Sequence, residues 1–268
     1  MGTITKITKQ VKNDERYNIF IDGEYSFSVD EEILARFQMG KGQEIDEVAI
    51  AEIGYEDDVR KSFNLAIHYL SFRMRTEKEV WDYLMKKELG QAVADEAIQK
   101  LKKYKYLNDQ EFAQAYVNTQ INTSDKGPGA VERELATKGV DKALIDEAMA
   151  AFTREIQVEK AMSLTNKLFK KYKKDSSIVA KQKTEQNLAR KGYPFSVINL
   201  AWQETDNEKS EDEKLEAVLV HARKAHNRLH SKYTGYDYVN KMKQNLYRKG
   251  FSMEEIDGAI EILKEEED

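Results

Sequence analysis

Apolar and polar residues alternate in "ITKITKQ" and "RYNIFIDGEYSFSV" near the N-terminus, and a period of two predicts half-buried β-strands. Asp22-Gly23 divides the second stretch where glycine accepts positive φ, so its halves are expected to pair as an antiparallel hairpin. In "VDEEILARFQM" the period becomes helical; this helix is expected to stop at Gly40-Lys41-Gly42 and to lead into a short extended "QEIDE". From about Tyr55 to the end the helical period dominates.

Within that helical region one unit recurs. Aligned on Leu84, Leu135, Leu188 and Leu246, each copy has lysine three residues later: Lys87, Lys138, Lys191 and Lys249. Glycine follows at Gly139, Gly192 and Gly250, with Glu88 in its place in the first copy, and then comes Leu89, Val140, Tyr193 or Phe251. Ten residues past the leucine stand Ala94, Ile145, Ile198 and Ile256, and thirteen past it Ala97, Ala148, Ala201 and Ala259. The copies lie 51, 53 and 58 residues apart, which predicts a stacked array. Lys-Gly reads as a helix terminator: glycine takes the left-handed closing conformation and lysine meets the negative end of the helix dipole. Ser252 with Glu255, Thr76 with Glu79, and Asn108 with Glu111 are start signals, Asp141 is a candidate N-cap, and Pro194 holds the equivalent place in the third copy. Gly127-Pro128-Gly129 breaks the chain and places Pro128 in the first turn of the helix bearing Leu135.

A further helix precedes each pair: "VRKSFNLAIHYLSFR", "DQEFAQAYVNTQIN", "QVEKAMSLTNKLFKKYK" and "LEAVLVHARKAHNRL". The expected fold is therefore mostly α, with tandem three-helix repeats forming an elongated curved array and a small β-rich N-terminal unit. The expected divisions are a hairpin-containing unit over 1–54 and repeats over 55–107, 108–152, 153–205 and 206–268, the last after an acidic linker. A capped linear array needs no partner subunit, so a monomer is expected.

Composition narrows the chemistry. The absence of cysteine removes disulfides, thiolate metal sites and a cysteine nucleophile. The N-terminus has no apolar segment of signal-peptide length, no run of about eighteen apolar residues occurs, and Lys6 breaks the myristoylation pattern. A cytoplasmic protein without a membrane partner is expected. Charge comes in blocks that the net value of -5 conceals. Arg154 to Lys191 holds eleven basic residues against four acidic ones, and Arg223 to Lys249 eight against Asp237 alone. Glu204 to Glu216 and Glu254 to Asp268 are acidic. Screening over ~8 Å lets each block act locally, so a basic surface can bind a polyanion, although solvated helix faces would read the same way.

No constellation supports catalysis, and no cofactor or metal is expected. His226 and His230 could share a helix face but have no carboxylate at ligand spacing, and His221 is rotated away by about 140°. No phosphate-cradling or nucleophile loop is present. What stands out is basic sequence with aromatic residues interleaved. "LFKKYKK" (Lys170, Lys171, Lys173, Lys174) and the region with Arg223, Lys224, Arg228, Lys241, Lys243, Arg248 and Lys249 combine phosphate-neutralising groups with rings that could stack on bases or pack at helix contacts. Arg73 and Arg75 make a smaller cluster suited to phosphate, carboxylate or an internal bridge. These residues, with Lys138 and Lys191, are the candidate filament- or DNA-binding set.

"YLSFRMRTEKEVWDYLMKKEL", "YLNDQEFAQAYV" and "GPGAVERELATKGVDKALIDEAM" resemble successive signatures of the RecX family, bacterial regulatory proteins that modulate the RecA recombinase. The resemblance covers about residues 57–152, and the further copies and β-rich extension are similar to the longer forms of low-GC Gram-positive bacteria. Gly129-Ala130 departs from it where a basic residue is common, as does Glu88-Leu89. The resemblance implies a non-catalytic inhibitor that lies along the RecA filament on single-stranded DNA and lowers ATP hydrolysis, strand exchange and co-protease activity. The basic blocks would then face DNA, single-stranded or double-stranded, or acidic filament surface. The acidic "QETDNEKSEDEKLE" and "EEED" stretches would set orientation or limit non-specific binding. An independent DNA-binding protein and a helical scaffold for another protein are the alternatives.

Overall fold

The N-terminal alternation closes into a four-stranded antiparallel sheet in the computed structural model, which describes every residue except Lys12, Asn207, Glu267 and Asp268. The strands are β1 (Gly2–Lys9), β2 (Arg16–Ile21), β3 (Glu24–Asp30) and β4 (Glu44–Ile45), in the order β3-β2-β1-β4. Asp22 and Gly23 both have positive φ, 51° and 94°, the handedness that matches strand twist in a two-residue hairpin. Asp22 also accepts the Thr3 amide at 2.9 Å, which ties the turn to β1. Ile4, Ile19, Val29 and Ile45 point into one core with Ile33 of α1 (Glu31–Arg36) and Ile53 of α2 (Glu47–Leu70).

Two helix limits differ from the expected ones. α1 ends at Arg36, before the glycines, because Gln38 takes a φ of 48° and lets the Met39 amide reach back to the Leu34 carbonyl at 3.1 Å. That reversal buries Met39 in the sheet core. α2 starts at Glu47 instead of near Tyr55, with Asp46 accepting the Ala49 amide as its N-cap. Its Asp57 ties the helix to the sheet. The carboxylate is only 2% exposed, receives Arg16 at 2.8 Å and the Asp30 amide at 2.8 Å, and pairs with Lys61.

Four three-helix repeats follow, the first opened by α2 and completed by α3 (Glu77–Met85) and α4 (Gln91–Lys103). The second is α5 (Asp109–Thr123), α6 (Pro128–Thr137) and α7 (Lys142–Met149); the third is α8 (Arg154–Lys171), α9 (Ser177–Arg190) and α10 (Phe195–Glu204). The fourth is α11 (Glu211–Leu229), α12 (Gly235–Tyr247) and α13 (Met253–Glu265). Thr76 and Ser252 form the expected capping boxes, and Pro194 is the N-cap of α10. By contacts the chain divides into two compact units, Met1–Ala113 with Leu135–Ile145, and Gln114–Glu134 with Asp146–Asp268.

The recurring positions are core positions: Leu84, Leu135, Leu188 and Leu246 are all at most 1% exposed. At the bends Gly139, Gly192 and Gly250 have φ of 83°, 91° and 81°, and Glu88 takes the same conformation at 59°. The next amide returns to the leucine carbonyl, from Val140 to Leu135, Tyr193 to Leu188 and Phe251 to Leu246.

The glycines have a second cause. A Cβ at Gly139 would stand 2.5 Å from the Lys78 side chain, at Gly192 2.4 Å from the Ala130 nitrogen, and at Gly250 2.7 Å from Ser176 Oγ. Each bend is docked on the N-terminus of the preceding repeat's middle helix, where the lysine carbonyl is bonded. Thr76 Oγ1 donates to Lys138 O at 2.7 Å, the Gly127 amide to Lys191 O at 2.8 Å, and Ser176 Oγ to Lys249 O at 2.8 Å. Glu88 has no earlier helical repeat to receive, so its side chain stands exposed and glycine is not required there.

Cations close the C-terminal ends of the opening helices. Arg75 donates to Tyr69 O, Lys160 to Ile121 O and Ser124 O, and Lys209 to Lys173 O and Asp175 O. Carbonyls at a helix C-terminus run out of amides further along the helix, and positive charge suits that end of the dipole.

Candidate functional site

Arg73 and Lys138 meet on one carboxylate. Glu79, the third residue of α3 and the partner in the Thr76 capping box, receives Arg73 at 3.0 Å and Lys138 at 3.0 Å. Burial would raise its pKa, but the two cations and the Thr76 amide outweigh burial and hold it at about 2. Lys138 also lies 5.8 Å from the Phe112 ring. Arg75 stacks 3.5 Å from the centre of Tyr69, which itself stacks on Tyr83 at 4.0 Å and 8°, and Lys87 lies 5.2 Å from Tyr83. Arg73, Lys138, Arg75 and Lys87 thus act within the protein, as a charge-assisted clasp and a cation-aromatic column.

The third and fourth repeats gather a different surface. Lys170 and Lys171 close α8, and Lys173 and Lys174 follow in the turn to α9; all four are exposed, and none forms an ion pair with a described residue. This turn is held from below. Lys209, only 5% exposed, inserts its ammonium under the Lys173 and Asp175 carbonyls and 6.0 Å from the Phe169 ring. Burial pushes the Lys209 pKa below its ordinary value, against the pull of Asp175 and two glutamates.

His221 of α11 joins the turn to the fourth repeat's bend: Nε2 lies 3.1 Å from Lys174 O and Nδ1 3.1 Å from Lys249 Nζ. An ammonium only donates, so Nδ1 accepts and Nε2–H donates to the carbonyl, which requires a neutral ring. Burial lowers the His221 pKa, and Lys249 and Lys224 add to that. The backbone of Lys174, the Lys249 side chain and Lys224 are brought together around this histidine.

The remaining predicted cations divide in two. Lys191 faces Asp125 at 3.8 Å, Lys243 pairs with Asp257 at 2.6 Å, and Arg223 with Glu266 at 2.5 Å. Arg228, Lys241 and Arg248 line one open cleft of about 590 Å³ with Tyr247 and Asn245, whose Oδ1 has no hydrogen-bond partner among the described residues. Among the described residues no group of three or more His, Asp or Glu is placed to hold a metal. No described helix is long and apolar enough to cross a membrane. In the acidic stretches Asn207, Glu267 and Asp268 lie outside the described residues.

Sequence reasoning missed Glu79, His221 and Lys209. Glu79 was legible as a cap and not as a charge acceptor; Lys209 was concealed in an acidic stretch, with only its position ahead of the Ser210 cap as a signal.

Comparison with known proteins matches almost the whole chain. The "Regulatory protein RecX N-terminal domain" family matches residues 2–46, and the first and second three-helix domains of RecX match residues 63–101 and 108–149. The third three-helix domain matches twice, at residues 155–202 and 211–260, which marks the last two repeats as kindred units. "Regulatory protein RecX" of Bacillus velezensis is 48% identical over 268 residues and that of Bacillus subtilis 47%, each covering 100% of both chains. The solved "Crystal structure of regulatory protein RecX" aligns with a TM-score of 0.69 at 37% identity, over 76% of this chain and 100% of that one. The structure of RecX from Lactobacillus salivarius aligns at 0.54 and 38% identity, over 56% of this chain and 98% of that one. With its N-terminal sheet, four helical repeats and full-length relatives, the chain belongs to the RecX family of regulatory proteins.

Proposed function

We propose that the chain is a non-catalytic cytoplasmic regulator of the RecA recombinase. It binds the RecA filament on single-stranded DNA as a monomer and lowers its ATP hydrolysis, strand exchange and co-protease activity. The observation that carries this reading is the similarity to proteins named regulatory protein RecX across every repeat and over the full length. A binder shifts a filament's assembly only through different affinity for its assembled and disassembled states. The contacts proposed for that difference are the cations that form no ion pair with a described residue, Lys170, Lys171, Lys173, Lys174, Lys224, Arg228, Lys241, Arg248 and Lys249. Arg73, Arg75, Lys138, Lys191, Arg223 and Lys243, which are engaged within the protein, contribute by exchanging partners.

The absence of ion pairs to described residues at Lys170, Lys171, Lys173 and Lys174 also favours a second reading, a DNA-binding protein that acts without a recombinase. Co-sedimentation with RecA filaments, alongside naked single-stranded DNA, separates the two. Filament binding that exceeds binding to naked DNA, and that falls on charge reversal at Lys170, Lys171, Lys173 and Lys174, supports regulation through this surface. Equal, steeply salt-dependent binding to both would support the second reading.

A further inference from the structure

We propose that the fourth repeat carries a site for the phosphate backbone of a nucleic acid, built on Arg228, Lys241 and Arg248. The three cations line the open cleft of about 590 Å³ between the last turn of α11 and the C-terminal half of α12. Among the described residues no carboxylate lines it, and none of the three cations forms an ion pair. Asp237, one turn before Lys241 on α12, neither lines the cleft nor pairs with that lysine. Two other cations of the same helices are arranged the opposite way: Arg223 meets Glu266 at 2.5 Å and Lys243 meets Asp257 at 2.6 Å. Acids are thus placed against those two and withheld from the three in the cleft. The other polar side chains of the lining, Gln244, Asn245 and Tyr247, are neutral groups of the kinds that contact phosphate oxygens. Arg248 Nε donates to Gln244 O at 3.2 Å, which tethers the guanidinium to its own helix. Its terminal nitrogens, a fork that suits phosphate, have no partner among the described residues.

The arrangement recurs, which points to a ligand that is itself repetitive. Arg228 is the last residue but one of α11, and Lys170 is the last but one of α8, 58 residues earlier. At the same interval "KMKQNLYRKG" from Lys241 repeats "KTEQNLARKG" from Lys183. Lys170, Lys183 and Arg190 therefore hold the places of Arg228, Lys241 and Arg248, with the Gln-Asn pair kept. Arg190 Nε also reaches back to Gln186 O, at 3.4 Å. The corresponding stretches of the first two repeats, "EVWDYLMKKE" and "AVERELATKG", have neither the leading lysine nor the Gln-Asn pair. One difference separates the kindred sites. Lys183 is met by Asp175 at 2.7 Å, whereas 58 residues on that acid is replaced by Tyr233, whose ring centre lies 5.9 Å from Lys241. The third repeat is thus the weaker copy. A nucleic-acid strand, with one charge per nucleotide in regular succession, is the polyanion that meets such copies along a stacked array.

The inference rests on the reading of these cations as external contacts and names their partner. It is tested without RecA, so its failure is distinct from a failure to change RecA's ATP hydrolysis. The full chain is titrated into a labelled oligothymidylate across a salt series, with unlabelled oligothymidylate and polyglutamate of equal charge as competitors. Arg228→Gln, Lys241→Gln and Arg248→Gln are each expected to weaken binding about tenfold and to lower the salt slope by about 0.7. Arg190→Gln is expected to weaken it less, since Asp175 already neutralises Lys183 in that copy. Lys214→Gln, which removes a cation of the fourth repeat already paired with Glu211, is expected to leave affinity and slope unchanged. The inference is overturned if the wild-type chain does not bind the oligothymidylate or if the three cleft variants bind it as well as wild type. It is overturned equally if Lys214→Gln weakens binding as much as they do, which would mean a diffuse charge effect. Displacement by polyglutamate as readily as by unlabelled oligothymidylate would assign the cleft to an acidic protein surface and overturn it too.

Discussion

At Glu88 the backbone takes a φ of 59°, in a place where the three later repeats have glycine. The left-handed conformation costs a residue with a Cβ about 1–2 kcal/mol. Glu88→Gly is therefore expected to raise stability by about 1 kcal/mol, because the side chain is exposed and gives up little. Gly139→Ala is expected to do the opposite and by more, since its Cβ would overlap Lys78 as well as occupy a φ of 83°. Urea midpoints of the two variants check this; equal and opposite shifts, or a stable Gly139→Ala, would mean that the docking contact is loose. The recurrence of Lys-Gly made the bend legible in the sequence, together with its termination chemistry. It did not show that glycine also permits contact with the preceding repeat, because that contact joins Gly139 to Lys78, far apart in the chain.

Among the elements, capping was the most legible feature and electrostatic use the least. Thr76 with Glu79 was readable as a capping box from four residues of sequence, and the structure forms it. That the same Glu79 would collect Arg73 and Lys138 was not, since the cations arrive from 6 and 59 residues away. The clasp gives α3 and the second repeat's bend a pH dependence. A carboxylate depressed from 4.5 to about 2 contributes stability that is complete above its unfolded pKa and is lost as pH falls between those values. The contribution is on the order of 3 kcal/mol, given a side chain only 21% exposed. Glu79→Gln is expected to lose about this much at neutral pH and to show a flatter acid limb in urea unfolding; acid limbs parallel to wild type would rule the clasp out as the source. The early end of α1 was illegible for a related reason. Burial of Met39 in the sheet core decides it, and Gln38 adopts positive φ to allow that burial.

For the whole molecule, periodicity showed the three-helix repeats and the N-terminal strands, since burying one stripe or one face leaves its period in the sequence. The family resemblance on residues 57–152 extended to full-length relatives. Net charge was uninformative, and even the basic blocks overstated the available surface. Lys243, Arg223 and Lys191 face carboxylates within the fold, whereas Lys170, Lys171, Lys173 and Lys174 pair with no described carboxylate. The central claim is that this chain acts on the RecA filament. It is tested most directly by RecA's ATP hydrolysis on single-stranded DNA as the chain is titrated in. The account predicts a fall in rate at amounts well below the RecA concentration, because one bound regulator biases the stability of neighbouring protomers. An unchanged rate, or a fall only when enough chain is present to cover the DNA, would contradict it.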